Sequence, residues 1–390
     1  MTSIICRSRE LHLYGHCPGY SLRARRTTLY RWLDRLKLGT PRKPVHSDTE
    51  VGEAIVRLLQ EDVLHRWGAA RVKVKLQMSG VTDARRGFVR DFMRTGDEYH
   101  VTGRTPGKKQ IHKTSLWSIG VSEEWSGDGF EKLQRVAGGL PCWGLRDKAS
   151  RRFLGLWVLP NVRLGVVPPA LYLRAARKAG GVPLRLVLDK GTETIQVGAL
   201  AKALSRLAYA PNIDPEVLPP FLQIKSIYNI TIERSWRGLF NDELEAIALV
   251  WDAGIRAGIC RPHIQLEYFL ARWVWARTVQ CKLDQYVAER NSSKIRQQTR
   301  SHLPCGLSPN EIWFNPQEHH LDNCLIPVPA HILDDLIEQY TPPKLFQFVP
   351  DDVDHFASRV YLALGEPILN VNTAWDVYER LMARAEHDAC

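Results

Sequence analysis

The fold is decided by the stretch Leu186-Val-Leu-Asp-Lys-Gly-Thr-Glu193, in which an apolar strand-like run ends at an acidic residue, Asp189, and a glycine follows almost at once. Two other acidic residues stand in similarly telling settings. Asp128 lies between two glycines in Trp-Ser-Gly-Asp-Gly, a short apolar segment, and Glu233 lies where a new helix is predicted to begin. The intervals between the three acids are 61 and 44 residues.

Three carboxylates that converge on one point can hold two divalent metal ions. Transfer of a phosphodiester group needs an activated nucleophile and a stabilised leaving oxygen, and two Mg²⁺ ions roughly 3.5–4 Å apart meet both needs. Mg²⁺ prefers hard oxygen ligands, so Asp and Glu suit it and His and Cys are unnecessary. The pattern therefore predicts a site for two Mg²⁺ or Mn²⁺ ions at Asp128, Asp189 and Glu233.

Each of these acids also has a purely structural interpretation. Asp128 between glycines is compatible with a turn, and Asp189 before Lys-Gly is compatible with a turn that ends a strand. Glu233 is compatible with a first-turn acid that interacts favourably with the helix dipole, with Asn229 as the cap. One acid lies in a short strand-like segment, one at a strand end and one at a helix start. Side chains at such positions can converge, so their joint occurrence favours one common site.

The region from residue 119 to residue 257 alternates predicted strands and helices. Strands are predicted at Glu124–Phe130, Pro141–Asp147, Arg152–Leu159, Leu184–Leu188 and Phe221–Ile227, and helices at Val166–Ala179, Ile195–Leu207 and from Ile230 onward. This pattern alone indicates only an α/β fold.

Together with the acids, the order of elements resembles the ribonuclease H-like catalytic core of retroviral-type integrases and DDE transposases. Asp189, Gly191 and Glu193 match the Asp-x-Gly-x-Glu segment of that family, and Glu233-Arg234 matches its Glu-Arg pair. The motifs look most like those of the integrase-core proteins of mushroom-forming fungi, which derive from transposable elements. The resemblance covers residues 50–315.

The resemblance implies that Asp128 bridges both metal ions, that Asp189 binds one and that Glu233 binds the other. It also implies DNA end processing and joining by a nuclear homo-multimer, because two DNA ends must be joined. Lys190 and Phe130 depart from the residues usual in the family. A domesticated, catalytically inactive DNA-binding protein on the same fold therefore stays an alternative, as does, less favoured, a hydrolytic nuclease.

The net charge of +11 is divided unevenly along the chain. Residues 1–118 carry +12, residues 119–300 carry +9 and residues 301–390 carry −10. Basic surfaces neutralise phosphates, so the first two parts are predicted to contact double-stranded DNA and the acidic part is not. The predicted contacts are Arg85, Arg86, Arg90, Lys108, Lys109, Lys190, Lys225, Arg234 and Arg237.

The region before the core is predicted to be helical and basic. A basic helix is predicted over residues 21–37, and three more over residues 48–62 (capped by Asp48), 68–79 and 83–94. A helix, a tight turn at Gly80 and then a helix with an Arg-rich outer face are typical of a helix-turn-helix, and a plain three-helix bundle is the alternative. Further helices are predicted around residues 330–339 and 372–386, within the acidic part.

These patterns predict five segments. They are a basic helical arm (1–47), a helix-turn-helix-like DNA-binding domain (48–97), a basic linker (98–118), the integrase-type catalytic core (119–318) and an acidic helical C-terminal segment (319–390). No signal peptide and no membrane span are predicted. The eight Cys are expected to be reduced thiols, and a structural zinc site is not expected because no Cys pair follows His12 and His16.

Overall fold

The computed structural model describes residues 3–7, 10–14, 21–36, 38–64, 66–95, 116–207, 214, 216–224, 229–298 and 301–389. The chain divides into two compact units. The first comprises Met1–Ser115, Ser292–Ser301 and Cys305–Phe314, and the second comprises Leu116–Asn291, His302–Pro304 and Asn315–Cys390. None of the described helices is both long enough and apolar enough to cross a membrane.

The first unit opens with a three-stranded antiparallel sheet. Its strands are β1 (Ser3–Arg7), β2 (Glu10–Tyr14) and β3 (Ser21–Arg25), in that order, and helix α1 (Arg26–Arg35) follows directly. The helix predicted over residues 21–37 is therefore wrong in its first five residues. Helical spacing is a local signal, and it is overridden here because β3 pairs along its whole length with β2, from Ser21 with Tyr14 to Arg25 with Glu10.

Three helices form the rest of the described N-terminal part: α2 (Asp48–Leu59), α3 (Ala69–Met78) and α4 (Arg86–Thr95). The cap of α2 is Ser47 and not Asp48, because Ser47 and Glu50 form a reciprocal capping box. The three helices share a core whose fully buried members include Ile55, Val72 and Val89.

The connection between α3 and α4 contains a buried acid. Gly80 takes the left-handed conformation that ends α3, with φ of +97°. Helix α4 begins at Arg86 and not at Asp83, because the Asp83 carboxylate accepts hydrogen bonds from the backbone amides of Val45 (2.6 Å) and His46 (2.8 Å). Burial alone would raise the pKa of Asp83, but these bonds lower it below its usual value.

The second unit is built on a five-stranded mixed sheet. Its strands are β5 (Glu124–Phe130), β6 (Cys142–Asp147), β7 (Phe153–Val158), β9 (Arg185–Asp189) and β10 (Phe221–Ile224), in the order β10-β9-β5-β6-β7. Strands β5, β6 and β7 are antiparallel to one another, whereas β9 is parallel to both β5 and β10. Two short strands, β4 (Gly120–Val121) and β8 (Gly181–Val182), lie outside this sheet.

Helices follow the strands in the predicted order. They are α5 (Val167–Ala179), α6 (Ile195–Leu207), α7 (Ile230–Leu239), α8 (Glu245–Arg256) and the 28-residue α9 (Gln265–Ser292), with one turn of π-helix at Phe240–Leu244 between α7 and α8. The sheet buries large side chains between these helices; Trp125 and Leu186, for example, are fully buried. A mixed α/β fold is confirmed, and its sheet order is compatible with a ribonuclease H-like core.

The C-terminal part of the second unit contains three further helices, α11 (Ala330–Tyr340), α12 (Asp351–Ala363) and α13 (Ala374–Ala389); the short helix α10 (Pro309–Phe314) belongs to the first unit. Two short strands, β11 (Asp322–Asn323) and β12 (Ile326–Pro327), precede them and pair with β4 and β8. Trp375 of α13 stacks on Trp251 of α8 with ring centroids 5.2 Å apart, and Trp273 of α9 donates to Asp354 of α12 over 2.8 Å. The acidic segment thus shares its core with helices that flank the sheet.

Candidate active site

Two of the three predicted acids lie at neighbouring positions of the sheet. In the parallel pairing of β5 with β9, Gly127 is the partner of Leu188, so the next residues along the two strands are Asp128 and Asp189. Neighbouring strands are about 4.8 Å apart, and residues at the same level point to the same face. Both side chains are half-buried. The register therefore brings the two carboxylates to one face of the sheet.

The third acid, Glu233, lies in the first turn of α7 and is half-buried. It precedes Trp236 by three residues, so the two side chains share one side of the helix. The indole Nε1 of Trp236 donates a hydrogen bond of 2.9 Å to Oδ2 of Asp128. The side of α7 that carries Glu233 is thus the side that meets the sheet at Asp128.

The electrostatics of Asp128 reflect this proximity. Burial raises the pKa of Asp128 to about 7, the nearby carboxylate of Asp189 adds to the increase, and Glu233 makes a smaller contribution in the same direction. The hydrogen bonds that Asp128 accepts from Trp236 and from the backbone amide of Gly129 lower the pKa and offset part of the increase. Asp189 lies beside Asp128 on the neighbouring strand, and Glu233 lies on the helix that contacts Asp128 through Trp236.

The donor set suits a hard divalent cation. Carboxylate oxygens are the ligands that Mg²⁺ and Mn²⁺ prefer, and a bound cation offsets the repulsion that raises the pKa of Asp128. Over the described ranges of the chain, no three His, Cys, Asp or Glu side chains are already grouped closely enough to enclose a metal ion. The carboxylates fit the ion by chemistry and by strand register.

Asn229 is an additional residue of the site. It stands at the N-cap position of α7, but its side chain makes no cap hydrogen bond, so the alternative interpretation in which its side chain caps the helix is wrong. Its Nδ2 instead donates to the backbone oxygen of Gly127 and to Oδ1 of Asp189, both over 3.0 Å. These partners are distant in sequence and could not be inferred.

Trp236 is a core residue that is only 5% exposed. Its ring stacks on Phe130 with centroids 5.1 Å apart, and it packs over Gly144, where a Cβ atom would come within 2.8 Å of the indole. Phe130, which departs from the family pattern, therefore completes the packing around this Trp. The hydrogen bond from Trp236 to Asp128 was not foreseen.

The space beside Gly191 is occupied by a side chain of the same motif. A Cβ atom at Gly191 would lie 2.3 Å from the Oε1 atom of Glu193, so the carboxylate of Glu193 folds back over the glycine. In this structure, Gly191 makes room for Glu193.

Three of the predicted phosphate contacts flank the acids. Lys190 follows Asp189, Arg234 follows Glu233, and Arg237 lies one turn further along α7; all three are exposed. They add positive charge next to the carboxylates without forming part of the buried site.

The basic residues predicted in the first unit, Arg85, Arg86 and Arg90, are also exposed. Arg85 pairs with Asp48 over 3.2 Å, and Arg90 pairs with Asp91 over 3.0 Å; both pairs are largely solvated, and such pairs contribute little. The remaining predicted contacts, Lys108, Lys109 and Lys225, lie outside the described residues.

A five-stranded mixed sheet flanked by helices, with acids on adjacent strands and on the following helix, is the architecture of a polynucleotidyl-transferase type of fold. The family model described as "Integrase core domain" matches residues 121–322, just over half of the chain and a range that includes all three acids. The chain belongs to the integrase core domain family, as its motifs indicated. Members of this family act on DNA and generally use divalent metal ions. No curated protein matches the chain.

Proposed function

We propose that this protein is a metal-dependent DNA strand transferase that processes DNA ends and joins them to target DNA. The observation that carries the proposal is the placement of Asp128 and Asp189 at neighbouring positions of β5 and β9, with α7, which carries Glu233, joined to Asp128 by the hydrogen bond from Trp236. Membership of the integrase core domain family supplies the reaction class.

In this proposal, Asp128, Asp189 and Glu233 would hold two Mg²⁺ or Mn²⁺ ions. Such ions, when bound, would activate the attacking water or 3′-hydroxyl and stabilise the leaving oxygen. Because the pKa of Asp128 is raised to about 7, metal binding would favour its ionised form. The exposed cations Lys190, Arg234 and Arg237 contact backbone phosphates beside the acids.

The remaining parts of the proposal concern DNA capture. Helix α3, the turn at Gly80 and helix α4 act as a helix-turn-helix-like module. This module presents Arg85, Arg86 and Arg90 to the duplex. Lys108, Lys109 and Lys225 add phosphate contacts. The protein works in the nucleus as a homo-multimer, and its acidic C-terminal part makes protein contacts, because its charge disfavours DNA.

Product analysis tests the proposed reaction. The full chain is incubated with Mg²⁺ or Mn²⁺, a pool of labelled linear duplexes with randomised end sequences, and a supercoiled target plasmid. We expect labelled strands covalently joined to the plasmid, and their loss when the metal is chelated. Nicked products without joining would identify a hydrolytic nuclease instead. Binding without nicking or joining would identify a domesticated DNA-binding protein.

Salt dependence tests the role of α4. The logarithm of the DNA association constant falls with the logarithm of salt concentration by about 0.9 for each phosphate contact. Replacing Arg85, Arg86 and Arg90 together with Ala is therefore expected to reduce that slope by about 3, measured by fluorescence anisotropy between 50 and 200 mM salt. Arg177→Ala, which removes an exposed Arg paired with Asp334, is the control and should leave the slope unchanged. An unchanged slope in the triple variant would contradict this role.

A further inference from the structure

The beginning of α7 contacts both aspartates of the candidate site, and these contacts go beyond the three acids themselves. We propose that Asn229 and Trp236 are positioning residues, which hold the carboxylates of Asp189 and Asp128 in the orientation that binds Mg²⁺. This inference rests on the proposed function, because it assumes that the acids are metal ligands.

Asn229 donates a hydrogen bond to Asp189 through the nitrogen atom of its side-chain amide. The side chain is 1% exposed, and both of its Nδ2 partners, the Gly127 carbonyl and Asp189 Oδ1, can only accept hydrogen bonds, so the orientation of the amide is unambiguous. A capping Asn would use Oδ1 to accept an amide of the first helical turn. Here Oδ1 is buried and finds no donor among the described residues. The side chain of Asn229 therefore orients Asp189 and does not cap the helix.

The second partner of Asn229 explains why this contact fixes a position. Gly127 immediately precedes Asp128 on β5, whereas Asp189 ends the neighbouring strand β9. One buried amide thus ties the Asp189 carboxylate to the backbone beside Asp128. Rotation of the Asp189 side chain would break this bond and leave the Asn229 amide with a second unsatisfied group, a costly outcome in a buried setting.

Trp236 fixes the orientation of the Asp128 carboxylate. Its Nε1 donates to Oδ2 of Asp128, and its ring is held by stacking on Phe130 and by the close fit over Gly144. Asn229 and Trp236 are seven residues apart, about two helical turns, with Glu233 between them. Helix α7 therefore brings the third acid to the sheet and also orients the other two.

Metal titration of the full chain by calorimetry, without DNA, tests this inference. Mutating residues that orient metal ligands typically weakens metal binding 10–100-fold. We expect Asn229→Ala to weaken Mg²⁺ binding by about that factor and Ca²⁺ binding by less, because Ca²⁺ accepts irregular coordination whereas Mg²⁺ needs near-octahedral geometry. Trp236→Phe, which keeps a stacking ring and removes the donor, should change both affinities in the same direction.

Asn291→Ala is the matched control. Asn291 is 4% exposed, and its amide bonds to the backbone nitrogen (2.8 Å) and oxygen (2.9 Å) of Phe153 on β7, the edge strand of the sheet. We expect this variant to lower the melting temperature about as much as Asn229→Ala does and to bind Mg²⁺ as the wild type does.

The outcomes distinguish failure of the positioning role from failure of the proposed function. Equal losses of Mg²⁺ affinity in Asn229→Ala and Asn291→Ala, or no loss in Asn229→Ala and Trp236→Phe, would overturn the positioning role. In either case, the proposed function survives if wild-type protein binds Mg²⁺ and Asp128→Asn does not. Failure of the wild-type protein to bind Mg²⁺ at all would reject the proposed function and the positioning role together.

Discussion

Asp128→Asn, Asp189→Asn and Glu233→Gln are each expected to reduce DNA joining at least about a thousandfold. Each substitution keeps the size of the side chain and removes one negative charge from the set that holds the cations. Metal ions supply several kcal/mol of transition-state stabilisation, and about 4 kcal/mol corresponds to a thousandfold change in rate. The joined product is measured in single-turnover reactions with Mg²⁺ and with Mn²⁺.

Duplex binding should survive these substitutions or become slightly tighter, since removing a negative charge near phosphates lowers repulsion. Glu124→Gln is the matched control, because Glu124 is a half-buried carboxylate at the other end of β5 that pairs with Lys148 over 3.0 Å. This variant should join DNA as the wild type does. If all three site variants join DNA at the wild-type rate with both metal ions, the proposed mechanism is wrong.

Strand β5 and helix α6 have the bounds that the sequence predicted, Glu124–Phe130 and Ile195–Leu207. Both are specified by local signals, namely short apolar segments and helical spacing bounded by turn residues. The acids at the strand end and at the helix start could be found for the same reason. In an α/β fold, side chains converge at the boundaries between strands and the helices that follow them. These boundaries can be found from local sequence even when the converging residues are far apart in the chain.

Contacts between distant residues were not predictable in this way. The partners of Asn229 lie 102 and 40 positions earlier in the chain, and Trp236 reaches a residue 108 positions earlier. Polar side chains at a helix start commonly cap it, so capping was the local alternative that the sequence offered for Asn229. The true partners depend on strand register, which the pattern of one chain does not specify.

The same limit explains the other corrections. Strand β3 depends on pairing with β2, and the start of α4 depends on hydrogen bonds that Asp83 accepts from the backbone amides of Val45 and His46, 38 and 37 residues upstream. Helix α12, which begins with three acids within four residues, was not predicted at all. Val353, Ala357 and Val360 on one side of this helix are buried, so its stability comes from packing that local spacing does not reveal.

Asp128→Asn is also expected to stabilise the metal-free protein above pH 7. The pKa of Asp128 is about 7 in the folded chain and 3.8 is its ordinary value, so between these values the folded state binds more protons than the unfolded state. Wild-type stability therefore falls as the pH rises from about 4 to about 7. Full burial would make this difference about 4 kcal/mol. Solvent screening of a half-buried carboxylate reduces it to about 1–2 kcal/mol.

Urea unfolding in a chelator between pH 4 and pH 8 measures this effect. The free energy of unfolding of Asp128→Asn relative to wild type should increase up to about pH 7 and then level off. Excess Mg²⁺ should stabilise the wild type, with proton release below pH 7, and should do little for the variant, because only the wild type offers an ionisable ligand at this position. A difference that stays constant from pH 4 to pH 8 would show that the pKa of Asp128 is not raised in the folded chain, either by burial or by Asp189 and Glu233.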